Sequence, residues 1–127
     1  MEAKDFNFEF GHLGIWFDDD DKAQATHDML TGLFGFDAVD VGFGWNIADN
    51  HFEIIKEKGA GTKGHFSILC DDVVAAMKYL ESKGVAFRED TFHYTDDGIL
   101  WKAFAKDEVG GFAWHLTLRG RANNGKA

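Results

Sequence analysis

Apolar and polar positions along this chain switch between the period of a strand and that of a helix, and the order of the switches occurs twice. Phe8 to Phe17 (FEFGHLGIWF) is rich in aromatic and branched residues and predicts a strand. The acidic run Asp18 to Asp21 follows, placing negative charge where a helix would begin. From Lys22 to Phe34, Ala23, Ala25, Met29, Leu30, Leu33 and Phe34 form an apolar stripe at helical spacing, and Gly35 stands where a C-terminal cap is expected. Three strand-like runs come next: Phe36 to Phe43, Trp45 to Ala48 and Phe52 to Lys56, with Asp49-Asn50 as a turn. The pattern then restarts. Gly64 to Cys70 predicts a strand, and Asp71 or Asp72 caps a helix with apolar Val73, Ala76, Met77 and Leu80, ended by Gly84. Val85 to Phe92, Leu100 to Ala105 and Phe112 to Leu118 predict three more strands.

The expected fold is therefore α+β: two βαβββ modules, about 8–58 and 64–119, in a single domain over residues 1–127. Each module supplies a curled mixed sheet whose helix covers one face, leaving the other to form a cleft. Residues 1–7 and the tail from Gly120 are polar and small, and are expected to fray. Gly59 to Gly64 fits G-x-G-x-x-G, but a dinucleotide fingerprint needs a helix directly after it. A strand follows here, so the segment is taken as the linker between modules; Lys63 within it is a candidate contact for an anionic substrate.

Strand parity picks out four chemically capable side chains. His12 shares a face with Gly14, Glu53 lies opposite Phe52 and Ile54, His65 shares a face with Ser67, and His115 with Ala113 and Thr117. In each case the alternate positions are bulky and apolar, suited to a helix-covered core, while the small neighbours leave room for a ligand. A carboxylate half-buried among imidazoles needs compensation, and a divalent cation (Zn, Ni, Co, Fe or Mn) suits this donor set. His51 shares the face of Glu53 and is either an exposed turn residue or a proton shuttle. His27 and His93 are expected at the surface and Cys70 in the core; Trp16, Trp45 and Trp101 are candidates for core or pocket lining.

Several segments together resemble the vicinal oxygen chelate (glyoxalase/bleomycin-resistance/extradiol dioxygenase) superfamily. They are Gly11-His12-Leu13, Leu33-Phe34-Gly35-Phe36, Phe52-Glu53-Ile54, Gly64-His65-Phe66 and Asp107 to Leu116 (DEVGGFAWHL). The likeness runs from about Phe8 to Leu118. It implies a metal held by one residue from each of the first, fourth, fifth and eighth strands, which match His12, Glu53, His65 and His115, with Glu53 and His115 as the catalytic candidates. Many members carry glutamate at the last position; histidine here sets the chain apart from glyoxalase I. The resemblance implies a metal-dependent lyase or isomerase working on a small oxygenated substrate through an enolate-type intermediate. The alternatives are a non-haem Fe(II) dioxygenase using His12, His65 and Glu53, a non-enzymatic drug-binding protein of the bleomycin-resistance kind, or a relative of chains labelled sugar-acid aldolases. Nothing in the sequence singles out a Schiff-base lysine for the last. Short members of the superfamily pair, so the resemblance implies a homodimer, an arrangement in which subunits can share the site.

Composition narrows the partners. With 13 basic and 22 acidic residues the net charge is −9, which repels phosphate backbones and argues against nucleic-acid binding. No run approaches the ~20 apolar residues that cross a bilayer, and Met1 to Phe10 has four charged residues and no leader-like apolar stretch. The one cysteine permits no intrachain disulfide, and a reducing cytoplasm is the expected compartment. Proline is absent, so glycine and Asp/Asn must punctuate the chain.

Overall fold

A computed structural model describes residues 1–120. The elements follow the doubled order: β1 (Glu9–Trp16), α1 (Asp20–Gly32), β2 (Ala38–Asp40), β3 (Gly44–Ile47) and β4 (Phe52–Ile55), then β5 (Gly64–Cys70), α2 (Val73–Ser82), β6 (His93–Tyr94), β7 (Leu100–Phe104) and β8 (Phe112–Leu118). All eight strands join one mixed, curled sheet in the order β2-β3-β4-β1-β5-β8-β7-β6. β1 runs parallel to β4 and β5 parallel to β8, and β1 meets β5 antiparallel at the centre. The two halves of the chain thus pair with each other within one molecule.

Each helix starts where a carboxylate can satisfy its first free amides. Asp19 accepts from Asp21 N at 2.9 Å and Lys22 N at 3.4 Å, and Asp72 accepts from Ala75 N at 3.0 Å. Both helices lie on the same side of the sheet's alternation. α1 buries Ala23 and Leu30 against Trp45, Ile47 and Ile54. α2 buries Val73 and Ala76 against Cys70, Ala103 and Leu116. The intervening residues, including His12, Glu53, His65 and His115, are left to the opposite face.

Four expectations need correction. The N-terminus is not frayed: Ala3–Phe6 is a 3-10 turn, and Phe6, only 2% exposed, fills the core cluster under α2. Helix α1 spans Asp20–Gly32 rather than ending at Phe34. The run from Phe36 narrows to the three-residue strand β2. Val85 to Phe92 is not a strand. Arg88 pairs with Asp90 at 2.9 Å and the Thr91 hydroxyl donates to Arg88 O at 2.6 Å, closing a 3-10 turn at Glu89–Thr91 and leaving only an isolated bridge from Phe87 to Ala105. The tail beyond Gly120 lies outside the described residues. Among the described residues no helix is long and apolar enough to cross a membrane.

Candidate metal centre

The four central strands, β4-β1-β5-β8, each bring one of the sequence-selected side chains to the helix-free face. Pairing between β1 and β5 shifts by one residue between Phe10 and Leu13, so β1 carries a bulge at Gly11-His12. Such a bulge re-aims a side chain, and here the side chain is His12, whose Nε2 lies 3.1 Å from His65 Nε2. Close approach across the bulge constrains its neighbours: a Cβ on Gly11 would stand 2.7 Å from Ser67 Oγ. Gly14 faces His65 in the register, and the space beside it is filled by the His65 ring rather than left for a ligand.

His12, His65 and His115 form a compact trio whose ligand atoms lie within 4.8 Å of one another, with ring centres 5.2 to 5.5 Å apart. Two nitrogens bound at about 2.0–2.1 Å to neighbouring positions of one ion stand roughly 2.9–3.4 Å apart; the 3.1 Å separation of His12 and His65 falls in that range. Glu53 stands at the edge, its Oε1 3.5 Å from His65 Nε2. His12 and His115 are 0% exposed, Glu53 3% and His65 5%.

His115 is oriented from behind. Its Nδ1 lies 2.7 Å from Thr117 Oγ1, which is 2.9 Å from Ser67 Oγ. A lone pair on His115 Nε2 requires the proton on Nδ1, which then donates to Thr117, whose hydroxyl passes a hydrogen bond to Ser67. Ser67 and Thr117 therefore brace the imidazole instead of clearing space. In front, polar capacity is left over: His12 Nδ1, His65 Nδ1, His115 Nε2 and Glu53 Oε2 are buried without a hydrogen-bond partner. Native interiors rarely leave such atoms orphaned, and a donor set of three imidazoles and a carboxylate with spare polar capacity fits a divalent cation.

Burial also sets the protonation states. It drives His12 down to about 3, helped by the charges of His65 and Lys102, and His65 down to about 4; His115 falls well below its usual value for the same reason. All three imidazoles are therefore neutral at pH 7, each with a lone pair to give. Burial raises Glu53 to about 7, opposed by the positive charge of Lys102. Three buried histidines placed this close together can hold a metal ion.

Two further residues on this face escaped the sequence reading. Lys102 on β7 faces Thr117 across the β7–β8 register, two positions from Phe104, which faces His115. It is half-buried, burial lowers its pKa, and its charge acts on all four site residues. Asn46 on β3 faces Glu53 in the register and is buried with its Oδ1 unpartnered. Only the register between neighbouring strands identifies either; a lone Lys or Asn on a strand carries no signal of its own.

The Phe104 ring approaches His115 at 4.7 Å and His65 at 6.0 Å between centres, and it also lines a cavity of about 160 Å³ with Arg88, Thr91 and Ala113. The remaining candidates fall elsewhere. His51 is exposed in the turn, its Nδ1 donating to Ala48 O at 2.6 Å, and takes no part in the cluster. His27 packs on Trp45 at 4.4 Å and pairs with Asp28; His93 is exposed. Cys70 is buried and pushed up to about 11, an inert thiol. Trp45 and Trp101 are buried, whereas Trp16 lines an open groove and donates its indole N–H to Gly61 O at 2.9 Å. Lys63 lies against the Gly111 turn, so the lysine facing the cluster is Lys102 instead.

No family model and no curated protein matches the chain. Among solved structures, the chain is similar to the hypothetical protein BH1468 from Bacillus halodurans C-125. The likeness has a TM-score of 0.60 and 13% identity, and covers 89% of this chain and 95% of that one. At that identity the similarity establishes a shared fold.

Proposed function

We propose that this chain is a metal-dependent lyase or isomerase of the vicinal oxygen chelate superfamily, acting on a small oxygenated substrate through an enolate-type intermediate. The observation that carries this reading is the convergence of buried His12, His65 and His115, with Glu53 beside them, on four central strands. The doubled βαβββ order and the curled sheet support it. His12, His65 and His115 would hold a divalent ion, with Glu53 as a fourth ligand; imidazole and carboxylate admit Zn, Ni, Co, Fe or Mn. When bound, the ion supplies Lewis acidity toward adjacent oxygens of a substrate.

The protein's own contribution is proton movement and exclusion of water. Glu53, at the edge of the trio, is placed to take a proton from carbon and return it. Its Oε2 has no partner to give up first. His115, braced by Thr117, keeps a fixed ring and tautomer. Phe104 walls the same space with an apolar ring.

A test begins with elemental analysis of native protein and reconstitution after chelation. Uptake of about one equivalent of a divalent ion, lost in His12→Ala and His65→Ala, is the expected result. If both variants bind metal like the parent, the site is misassigned. Exchange of pyruvate methyl protons with deuterated water, lost in Glu53→Gln, would report enolisation. A second reading, a non-haem Fe(II) dioxygenase, is favoured by His65 Nε2 lying close to both His12 and Glu53, a two-histidine, one-carboxylate grouping. Iron-dependent oxygen uptake in place of proton exchange would select it.

A further inference from the structure

Lys102 is a charged side chain that the metal centre leaves without a task. It projects from β7 toward the face that holds the cluster, in register with Thr117, the residue that braces His115. Among the described residues no carboxylate lies within ion-pair distance of its ammonium group. Its Nζ instead lies 5.4 Å from the ring centre of Trp101 and 5.9 Å from that of Phe104. Aromatic faces hold a cation in place without neutralising it. In a protein of net charge −9, a half-buried lysine that goes unpaired is not explained by a shortage of anions.

The charge balance of the site points the same way. One carboxylate, Glu53, stands beside the trio of imidazoles, and the Lys102 ammonium faces the same side of the sheet. A divalent cation would add two positive charges to this pair and leave a net positive charge at a buried site, which is costly until an anion arrives. A neutral chelating substrate would leave the cost in place.

We propose that Lys102 is the anion-recognition residue of this site, and that the substrate is a small carboxylate with a second oxygen on the adjacent carbon, a 2-oxo or 2-hydroxy acid. The assignment rests on the metal-centre reading above. One carboxylate oxygen and the neighbouring oxygen face the ligand cluster, and the remaining carboxylate oxygen accepts from Lys102. A lysine acts here as a point charge on a flexible stem, which suits substrates that differ beyond the carboxylate.

The test uses the full-length protein loaded with Co(II), whose visible absorption reports changes at the ion. Two probes are titrated: oxalate, which keeps a carboxylate oxygen free for Lys102 when it chelates, and acetohydroxamate, which chelates through its two oxygens and has none left to offer. Lys102→Met is expected to weaken oxalate by roughly tenfold to a hundredfold, the loss of one charge-assisted hydrogen bond, while Co(II) uptake and hydroxamate binding stay near parental. Lys102→Arg should recover most of the oxalate affinity. Equal losses for both probes, or none for either, overturn the assignment. If Lys102→Met does not fold, Lys102→Gln makes the same comparison. If the parent takes up no Co(II), the metal-centre reading fails by itself. Oxalate binding to the metal-free protein then decides: a loss confined to the Lys102 variants retains the anion site, and binding that ignores them ends it.

Discussion

Gly14 and His65 stand directly opposite each other where β1 meets β5, and the imidazole occupies the volume that any side chain at position 14 would need. The junction between the two halves of the chain is therefore also what seats a ligand of the candidate metal centre. Gly14→Ala should push the His65 ring out of place, with repacking strain of about 1–3 kcal/mol. Metal affinity should fall by roughly tenfold or more, since the strain bears directly on a ligand (about 1.4 kcal/mol for each tenfold). Far-ultraviolet circular dichroism should remain parental. Unchanged metal uptake in a folded Gly14→Ala protein would show that His65 does not bind the ion.

Thr117 separates bracing from ligation. Its hydroxyl touches His115 Nδ1 and Ser67 Oγ, and it is fully buried. Thr117→Val keeps the shape, removes the hydrogen bond and frees the His115 tautomer, which should weaken metal binding by about 10- to 100-fold. Thr117→Ser should restore it. Competition with a chelator of known affinity measures the difference, and a Val variant as tight as the parent would place His115 outside the coordination set.

Acid should destabilise the metal-free protein through the cluster. Unfolded imidazoles take up protons below about 6.5, whereas folded His12 waits until about 3 and folded His65 until about 4. The unfolded state thus binds more protons through that window, and stability falls as pH drops from about 6.5 toward 4. Glu53 works in the opposite sense. Its folded pKa of about 7 exceeds its unfolded 4.5, so its contribution is full below 4.5 and is lost as pH rises through 7. The histidines outnumber it, and the net slope should be on the order of 1.4 kcal/mol per pH unit for each excess proton. Thermal melts of metal-free protein between pH 4 and 8 measure it. Metal should raise Tm at pH 7 and progressively less toward pH 5, as protons compete for the same lone pairs. A flat metal-free profile would mean that the histidines are not buried as neutral rings.

The sequence carried the repeat and the four ligand-type residues because both are local: helical and strand periods are read within one segment, and each ligand candidate alternates with bulky apolar neighbours on its own strand. Lys102 and Asn46 were not legible, since their importance arises from the β7–β8 and β3–β4 pairings, which no single strand encodes. Gly14 was legible as small but not for its reason, which depends on a register set by the bulge at Gly11-His12. The segment from Val85 to Phe92 misled because its apolar content outweighed the local Arg88, Asp90 and Thr91 bonds that turn the chain.

The N-terminal segment misled for a related reason, and it gives the last test. Residues 1–7 are polar apart from Met1, Ala3 and Phe6, so a frayed end was the natural expectation. Phe6 alone reverses it: the ring packs at 5.5 Å on Phe8 and 5.1 Å on Tyr79 of α2, beside Cys70 and Leu116. Arg119 after β8 fastens the same corner, donating to Asn7 O and to the carboxylates of Glu9 and Asp71. A frayed phenylalanine replaced by alanine would change stability by no more than about 0.5 kcal/mol. One packed under a helix should cost about 3–5 kcal/mol. Urea denaturation of Phe6→Ala distinguishes these cleanly, with Lys4→Ala, exposed on the same turn, as the control that should not move. Because Phe6 packs on the helix-covered side and the histidines occupy the other, a Phe6→Ala protein that remains folded should bind metal like the parent. Loss of stability together with unaltered metal affinity would show that core and site are carried by opposite faces of the same sheet.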